Sequence, residues 1–223
     1  MTNIICTGKG PAQPVNADTV KEWSIPNGNV YLVCDGINHN QKTLAAVNVF
    51  AENLAKSNWT NIVNPKQLLR DNIFEALHLM SPEHDNLSFC CCVAVVSEEK
   101  MTLAHCGDCR IGSLTDKGVK WLTQDDVPAL KLYNKGVISK ETYDKSRHLI
   151  STKLKIGSNN RNSLTVQTMA TANNQVLILC SDGFWSESEY LLNTDVSNVI
   201  MLIQEEIERL VLQSEDNFSV VIV

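Results

Sequence analysis

The chain of 223 residues is short of the features that mark non-globular classes. Six prolines and ten glycines are too few for a collagen-like repeat or a Gly/Pro linker, and no fixed-period repeat is found. Long hydrophobic runs are missing: the longest, 89–96, has eight residues where a membrane helix needs about 18, and it reads as one buried strand. Residues 1–11 hold no apolar block of secretory length. Basic charge is in deficit, 19 Lys and Arg against 25 Asp and Glu, for a net charge of −6. That balance argues against non-specific binding to nucleic acid or to an anionic membrane. The apolar share of 43% is enough for a soluble domain that buries its own core. A cytoplasmic location is expected. Of Cys6, Cys34, Cys90, Cys91, Cys92, Cys106, Cys109 and Cys180, most are then expected to be small buried hydrophobes rather than disulfide partners.

Apolar patterning predicts strands over 3–6, 19–25 and 29–34, the last two joined by a hairpin turn at Pro26-Asn27-Gly28. Two helical stripes follow. Leu44, Val47, Ala51 and Leu54 form the first, and Leu69, Ile73, Ala76 or Leu77, and Met80 the second, behind a cap at Asn64 and Pro65 in the first turn. Further strands are expected over 88–96, 101–106, 110–114, 119–122, 164–169, 175–180 and 218–223. Residues 127–158 lack strand character and read as a short helix plus loops. A long amphipathic helix over 195–212 presents Val199, Leu202, Ile203, Ile207, Leu210 and Val211 on its apolar face. The order predicts an α+β fold in one domain, mainly antiparallel sheets with helices outside.

Aspartates recur where these strands end. Residues 31–34 run into Asp35-Gly36, and 177–181 run into Asp182-Gly183. A glycine there allows a sharp turn and leaves its carbonyl accessible. Asp18 precedes one strand, Asp108 lies in the turn Cys106-Gly107-Asp108-Cys109-Arg110, and Asp216-Asn217 opens the last strand. Each alone fits a turn former. Together, on one rim of stacked sheets, unit charges 4 Å apart would repel by about 4 kcal/mol at an effective dielectric of 20. Such a cluster calls for cations, and oxygen-only ligands select Mg²⁺ or Mn²⁺ over zinc.

Taken in order, these motifs resemble the metal-dependent protein phosphatases, the type 2C serine/threonine group. The set is Asn16-Ala17-Asp18, Asp35-Gly36, Gly107-Asp108-Cys109-Arg110, Leu122-Thr123-Gln124-Asp125-Asp126, Cys180-Ser181-Asp182-Gly183-Phe184-Trp185 and Asp216-Asn217-Phe218-Ser219. The resemblance runs from residue 16 to the C-terminus, with 147–157 resembling a further family element. It implies a sandwich of two antiparallel β-sheets flanked by helix pairs, a single catalytic domain over 1–223, and hydrolysis of phosphoserine or phosphothreonine in proteins by a metal-activated water. Two Mg²⁺ or Mn²⁺ ions are implied. Asp35 bridges them, the Gly36 carbonyl binds one, Asp182 and Asp216 complete the first site, and Asp108 with Asp182 has room for a third, weaker ion. Asp18 is implied to orient water at the ions, and Asn217 to position Asp216 on the substrate side. Arg110 is expected to pair with a carboxylate.

The sequence departs from the family pattern at several points. Gln13 stands where the family carries a phosphate-binding Arg, leaving Lys9 as the nearest upstream cation and candidate substrate contact. Asp35-Gly36-Ile37-Asn38-His39 lacks the two later glycines of D-G-x-G-G, and His39 is the candidate proton donor. Ala17, Cys109 and Ser186 replace other motif residues. These changes leave open a degenerate phosphatase acting as a binding or regulatory module. Cys106 and Cys109 also match C-x-x-C, and with Cys90 and Cys92 they offer a thiol or zinc alternative. The segment 127–147 is expected to be a flap beside the site that selects substrate, with no appended domain after the last strand.

Overall fold

A computed structural model describes residues 3–60, 64–115, 117–158, 160–172, 175–192 and 199–223. Its elements are β1 (Ile4–Gly8), β2 (Thr19–Ile25), β3 (Gly28–Gly36), α1 (Gln41–Lys56), α2 (Pro65–His78), β4 (Ser88–Val96), β5 (Lys100–Cys106), β6 (Arg110–Thr115) and β7 (Gly118–Trp121). There follow α3 (Pro128–Asn134), α4 (Lys140–Ser146), β8 (Leu154–Lys155), β9 (Thr165–Ala170), β10 (Val176–Cys180), α5 (Asp182–Glu187), α6 (Glu189–Leu192), α7 (Val199–Gln213) and β11 (Phe218–Ile222). The strands form two sheets, ordered β1-β11-β10-β6-β7 and β2-β3-β4-β5-β9, with β8 beside β4. Every pairing is antiparallel. This is the α+β sandwich expected from the order of elements.

The alternating side chains of the strands sort into three apolar layers. Val33, Cys92, Met101, Ile111, Leu179 and Val221 fill the space between the sheets. On the outer face of the second sheet, Leu32, Cys91 and Val93 meet Phe50 and Leu54 of α1 and Ile73 of α2. Phe50 packs on Phe89 with ring centroids 4.8 Å apart. On the outer face of the first sheet, Ile178, Val220 and Ile222 meet Phe184, Ile203 and Leu210. Both edges of the chain meet in the first sheet, where β1 pairs with β11 from Ile4↔Ile222 to Gly8↔Phe218.

Local signals match in detail for α2: the Asn64 side chain accepts from the Gln67 N–H, and Pro65 occupies the first turn. Three expectations need correction. Residues 127–158 hold two helices and the short β8, because α3 buries none of its residues and so carries no apolar stripe to read. Val211 does not join the apolar face of α7: it is 51% exposed, one residue beyond the last buried position, Leu210. A strand-to-turn reading of 181–183 misses α5, capped at Ser181 and starting at Asp182. The predicted start of α7 at 195 lies outside the described residues, as does the Val199 side chain. Among the described residues no helix is long and apolar enough to cross a membrane.

Candidate metal centre

Sheet register brings the five aspartates together. Asp35 and Gly36 end β3 opposite Cys90 and Phe89 of β4. Asp18 immediately precedes β2, whose first residue, Thr19, pairs with Cys34 beside Asp35. In the other sheet Cys180 pairs with both Val220 and Arg110, so the chain just past β10, just before β11 and just before β6 shares one edge. Those three segments carry Asp182, Asp216 and Asp108. The two sheets thus present five carboxyls from distant parts of the chain at a common rim.

The glycines next to these aspartates allow close approach rather than a turn. A Cβ on Gly183 would lie 2.0 Å from the Asn217 carbonyl oxygen, and one on Gly36 would lie 2.6 Å from Thr43 Cγ2 and 2.8 Å from the Ala17 oxygen. Neither has a positive φ, so the sharp-turn reading of both Asp-Gly pairs is replaced by contact between backbones. Gly107 differs: its φ of +89° needs glycine, and a Cβ would sit 2.2 Å from Cys90 Sγ.

Asp18 is only 4% exposed and Asp108 6%. Burial, followed by neighbouring carboxylates, pushes Asp108 up to about 7, with the nearby Asp182 charge as the second cause. Asp18 is also held at about 7: burial raises it, the hydroxyls of Ser181 and Ser219 oppose, and Asp182 and Asp216 raise it further. Asp35 is pushed well above the carboxylate range by burial and then by Asp18, Asp182, Asp108 and Asp216. Asp182 is raised by burial and Asp216, and shares a hydrogen bond with Asp35. The Ser219 hydroxyl donates to Asp18 Oδ2 at 2.9 Å, and the Ser219 N–H to Ser181 Oγ at 2.9 Å, so β11 and the end of β10 together hold Asp18.

Around this cluster the remaining residues are fixed by specific bonds. Asn217 is buried; its Nδ2 donates to the Val15 oxygen at 3.0 Å and to His39 Nδ1 at 2.8 Å. With Nδ1 accepting, His39 carries its proton on Nε2, 3.4 Å from Asp216 Oδ1. Asp216 Oδ1 also accepts the Asn217 N–H at 2.7 Å. Lys9 is exposed and donates to the Gln13 oxygen at 2.7 Å, while Gln13 Nε2 donates to the Glu215 oxygen at 3.1 Å. Both therefore lie along the segment that leads into Asp216, and the ammonium of Lys9 is committed to its own loop.

Arg110 does pair with a carboxylate. Its guanidinium donates in bidentate fashion to Asp125 at 2.8 and 2.6 Å. The same guanidinium stacks 3.4 Å from the centroid of Trp185, whose Nε1 donates to the Asp108 oxygen at 2.9 Å. Arg147 approaches Trp185 as well, at 5.2 Å, and its charge reaches Asp182. This placement of Arg147 is what the sequence reasoning missed. Only its position as the first residue of the element at 147–157 could have drawn attention to it.

The thiol alternatives fail on geometry. Cys106 faces the helices with Cys34 and Cys91, whereas Cys90, Cys92 and Cys109 face the other sheet, so the four cannot share an ion. Burial pushes Cys106 up to about 12 and raises Cys109 well above the usual thiol range, the opposite of a redox-active pair.

Among the described residues no group of three or more carboxylate, thiol or imidazole side chains is placed so that it could hold a metal ion. The donor set nonetheless suits a hard divalent cation. It is all oxygen, its carboxyls repel one another, and the buried Asn217 Oδ1 beside Asp216 has no hydrogen-bond partner. Asp35, the Gly36 carbonyl, Asp182 and Asp216 would hold such an ion.

No family model matches the chain, and no curated protein matches it in sequence. Solved structures do. The serine/threonine phosphatase Stp1 of Staphylococcus aureus superposes with a TM-score of 0.78 at 20% identity, over 100% of this chain and 94% of that one. The serine/threonine phosphatase PstP/Ppp of Mycobacterium tuberculosis gives 0.74 at 18% identity, over 99% and 97%. A PstP catalytic domain described in complex with two manganese ions gives 0.70 at 18% identity, over 99% and 96%. Sequence identity this low speaks to architecture, and in architecture the chain has, end to end, the fold of these serine/threonine phosphatases.

Proposed function

We propose that the chain, as one catalytic domain over 1–223, is a Mg²⁺- or Mn²⁺-dependent phosphatase of phosphoserine and phosphothreonine in proteins. The observation that carries this is the meeting of Asp18, Asp35, Asp108, Asp182 and Asp216, each acting on at least one other, at one sheet edge. The manganese-bound neighbour with the same fold supports it. Buried, uncrosslinked cysteines support a cytoplasmic setting.

Two such ions, when bound, lower the pKa of water and neutralise phosphoryl oxygens for in-line displacement. The chain's own residues do the rest. Asp35, the Gly36 carbonyl, Asp182 and Asp216 would hold the pair, and Asp108 with Asp182 would offer a weaker third position. Asp18, fixed by two serine hydroxyls, orients the attacking water. His39 is the proton donor for the departing Ser or Thr oxygen in its imidazolium form, which takes up a proton on Nδ1 and so gives up the bond that Asn217 Nδ2 makes there to the neutral ring. Gln13 cannot bind phosphate as an arginine fork would. Arg147, on the Trp185 face and within reach of Asp182 electrostatically, is the cation best placed to receive it, with Lys9 available when its bond to Gln13 opens.

The test is hydrolysis of a phosphothreonine peptide with Mn²⁺, with EDTA, and by Asp35→Asn. Manganese-dependent turnover lost in the variant is expected. A folded protein that binds Mn²⁺ by calorimetry yet releases no phosphate would overturn the enzyme reading in favour of a binding module.

A further inference from the structure

The chain is acidic, but one lobe of it is not. Between Asp126 and Ser151 lie five Lys and Arg against two Asp and Glu, a net +3 that leaves −9 on the rest of a chain of net −6. This lobe, containing α3 and α4, leaves and returns at the candidate metal centre. The Asp126 N–H donates to the Gly107 oxygen at 2.8 Å, the Gly107 N–H donates to Asp126 Oδ2 at 3.0 Å, and the Ser151 N–H donates to the Asp126 oxygen at 2.7 Å. Its root is thus the turn that carries Asp108.

Two of its cations are spoken for: Lys145 pairs with Glu141 at 2.7 Å and Lys140 with Glu189 at 3.9 Å. Lys131 and Lys135 are exposed and have no ion pair among the described residues. Both line an open groove of about 740 Å³ between α3 and the edge of the second sheet, together with Leu132, Leu103, Thr165 and Gln167. Asp125 and Asp126 line one part of the groove, so it adjoins the turn that carries Asp108. Asp125 is already neutralised by Arg110 and Asp126 Oδ2 accepts the Gly107 N–H, so the two lysines outnumber the one carboxylate of the groove that has no ion pair.

We infer that this groove docks the acidic flank of a phosphopeptide substrate, with Lys131 and Lys135 taking its Asp or Glu side chains. The inference rests on the phosphatase reading and adds the substrate class. Complementary charge at such a rim speeds encounter and suppresses wrong partners.

The experiment uses fluorescent peptides carrying a non-hydrolysable phosphonate analogue of phosphothreonine, flanked by either Glu or Lys, binding the Mn²⁺-loaded protein in an anisotropy titration. The Glu-flanked peptide should bind about tenfold more tightly at low ionic strength, and the preference should shrink in about 0.5 M salt. Lys131→Glu/Lys135→Glu should erase the preference and improve binding of the Lys-flanked peptide, a gain that misfolding cannot produce. Equal affinity for the two peptides in the native chain overturns the inference, as does a preference that survives the double reversal. Hydrolysis of p-nitrophenyl phosphate reports the chemistry separately. Its absence alongside lysine-dependent peptide binding would reject the phosphatase reading and leave the groove assignment standing.

Discussion

Replacing Asp108 by Asn should stabilise the metal-free protein, and by an amount that depends on pH. Asp108 ionises at about 7 in the fold and at its ordinary 3.8 when unfolded. Its folded pKa is the higher one, so the native state holds the proton more tightly. The stability this confers is complete below about pH 4 and is lost as pH rises towards 7, where the buried charge must form. Three pKa units correspond to about 4 kcal/mol at pH 8, and to less than half of that at pH 5. Asn carries no charge at any pH and keeps an acceptor for the Cys90 thiol that bonds Asp108. Asp108→Asn should therefore raise stability at pH 8 by about 2.5 kcal/mol more than at pH 5, on the order of 5–10 °C in Tm for a chain this long. Thermal denaturation in EDTA at the two pH values measures this. A gain equal at both, or a loss at both, would refute the claim that carboxylate charge strains the rim. Saturating Mn²⁺ should reverse the order, since the native carboxylate then gains a partner and the amide does not.

Two further outcomes follow from contacts in the same region. Arg110→Ala removes both bonds to Asp125, whose side chain is 1% exposed, and leaves a buried carboxylate unpaired; a loss of about 3–5 kcal/mol in urea denaturation is expected, and a change below about 1 kcal/mol would contradict it. Gly183→Ala forces a Cβ within 2.0 Å of the Asn217 oxygen, so it should cost about 1–3 kcal/mol and weaken Mn²⁺ binding in calorimetry, whereas unchanged affinity would show that the Asp182–Asn217 spacing is not limiting.

What was legible in the sequence was whatever a periodic or local rule dictates. The strand 88–96 is β4 to the residue, because an unbroken apolar run between charged turns has little choice when both faces are buried. The Asn64 cap and Pro65 mark α2 for equally local reasons. The aspartates were visible as strand ends, and only sheet pairing could show that those ends share an edge. Less legible were elements whose stability is tertiary. Helix α3 buries nothing, and its one aromatic anchor, Tyr133, stacks on Tyr143 of α4 at 5.2 Å, a contact with no sequence period. The reason for the glycines was misread too, since a φ-driven turn and a backbone approach leave the same letter in the sequence. Arg147 escaped because its significance comes from Trp185, 38 positions further along the chain.

Turn formation does not account for these aspartates. A turn-forming Asp bonds its own backbone at the surface, where its charge costs little. Here Asp18 and Asp108 are buried, and among the described residues no Lys or Arg forms an ion pair with Asp18, Asp35, Asp108 or Asp182. Arg147 acts on Asp182 without forming an ion pair with it, and Arg110, two positions after Asp108, is held away by Asp125 and pinned over Trp185. A fold selected only for stability would have turned that guanidinium inward, or replaced one carboxylate by an amide. Instead, three apolar layers carry a rim whose charges oppose folding. On the phosphatase reading proposed above, the positive charge that such a rim lacks would come from hard divalent ions, which oxygen donors favour.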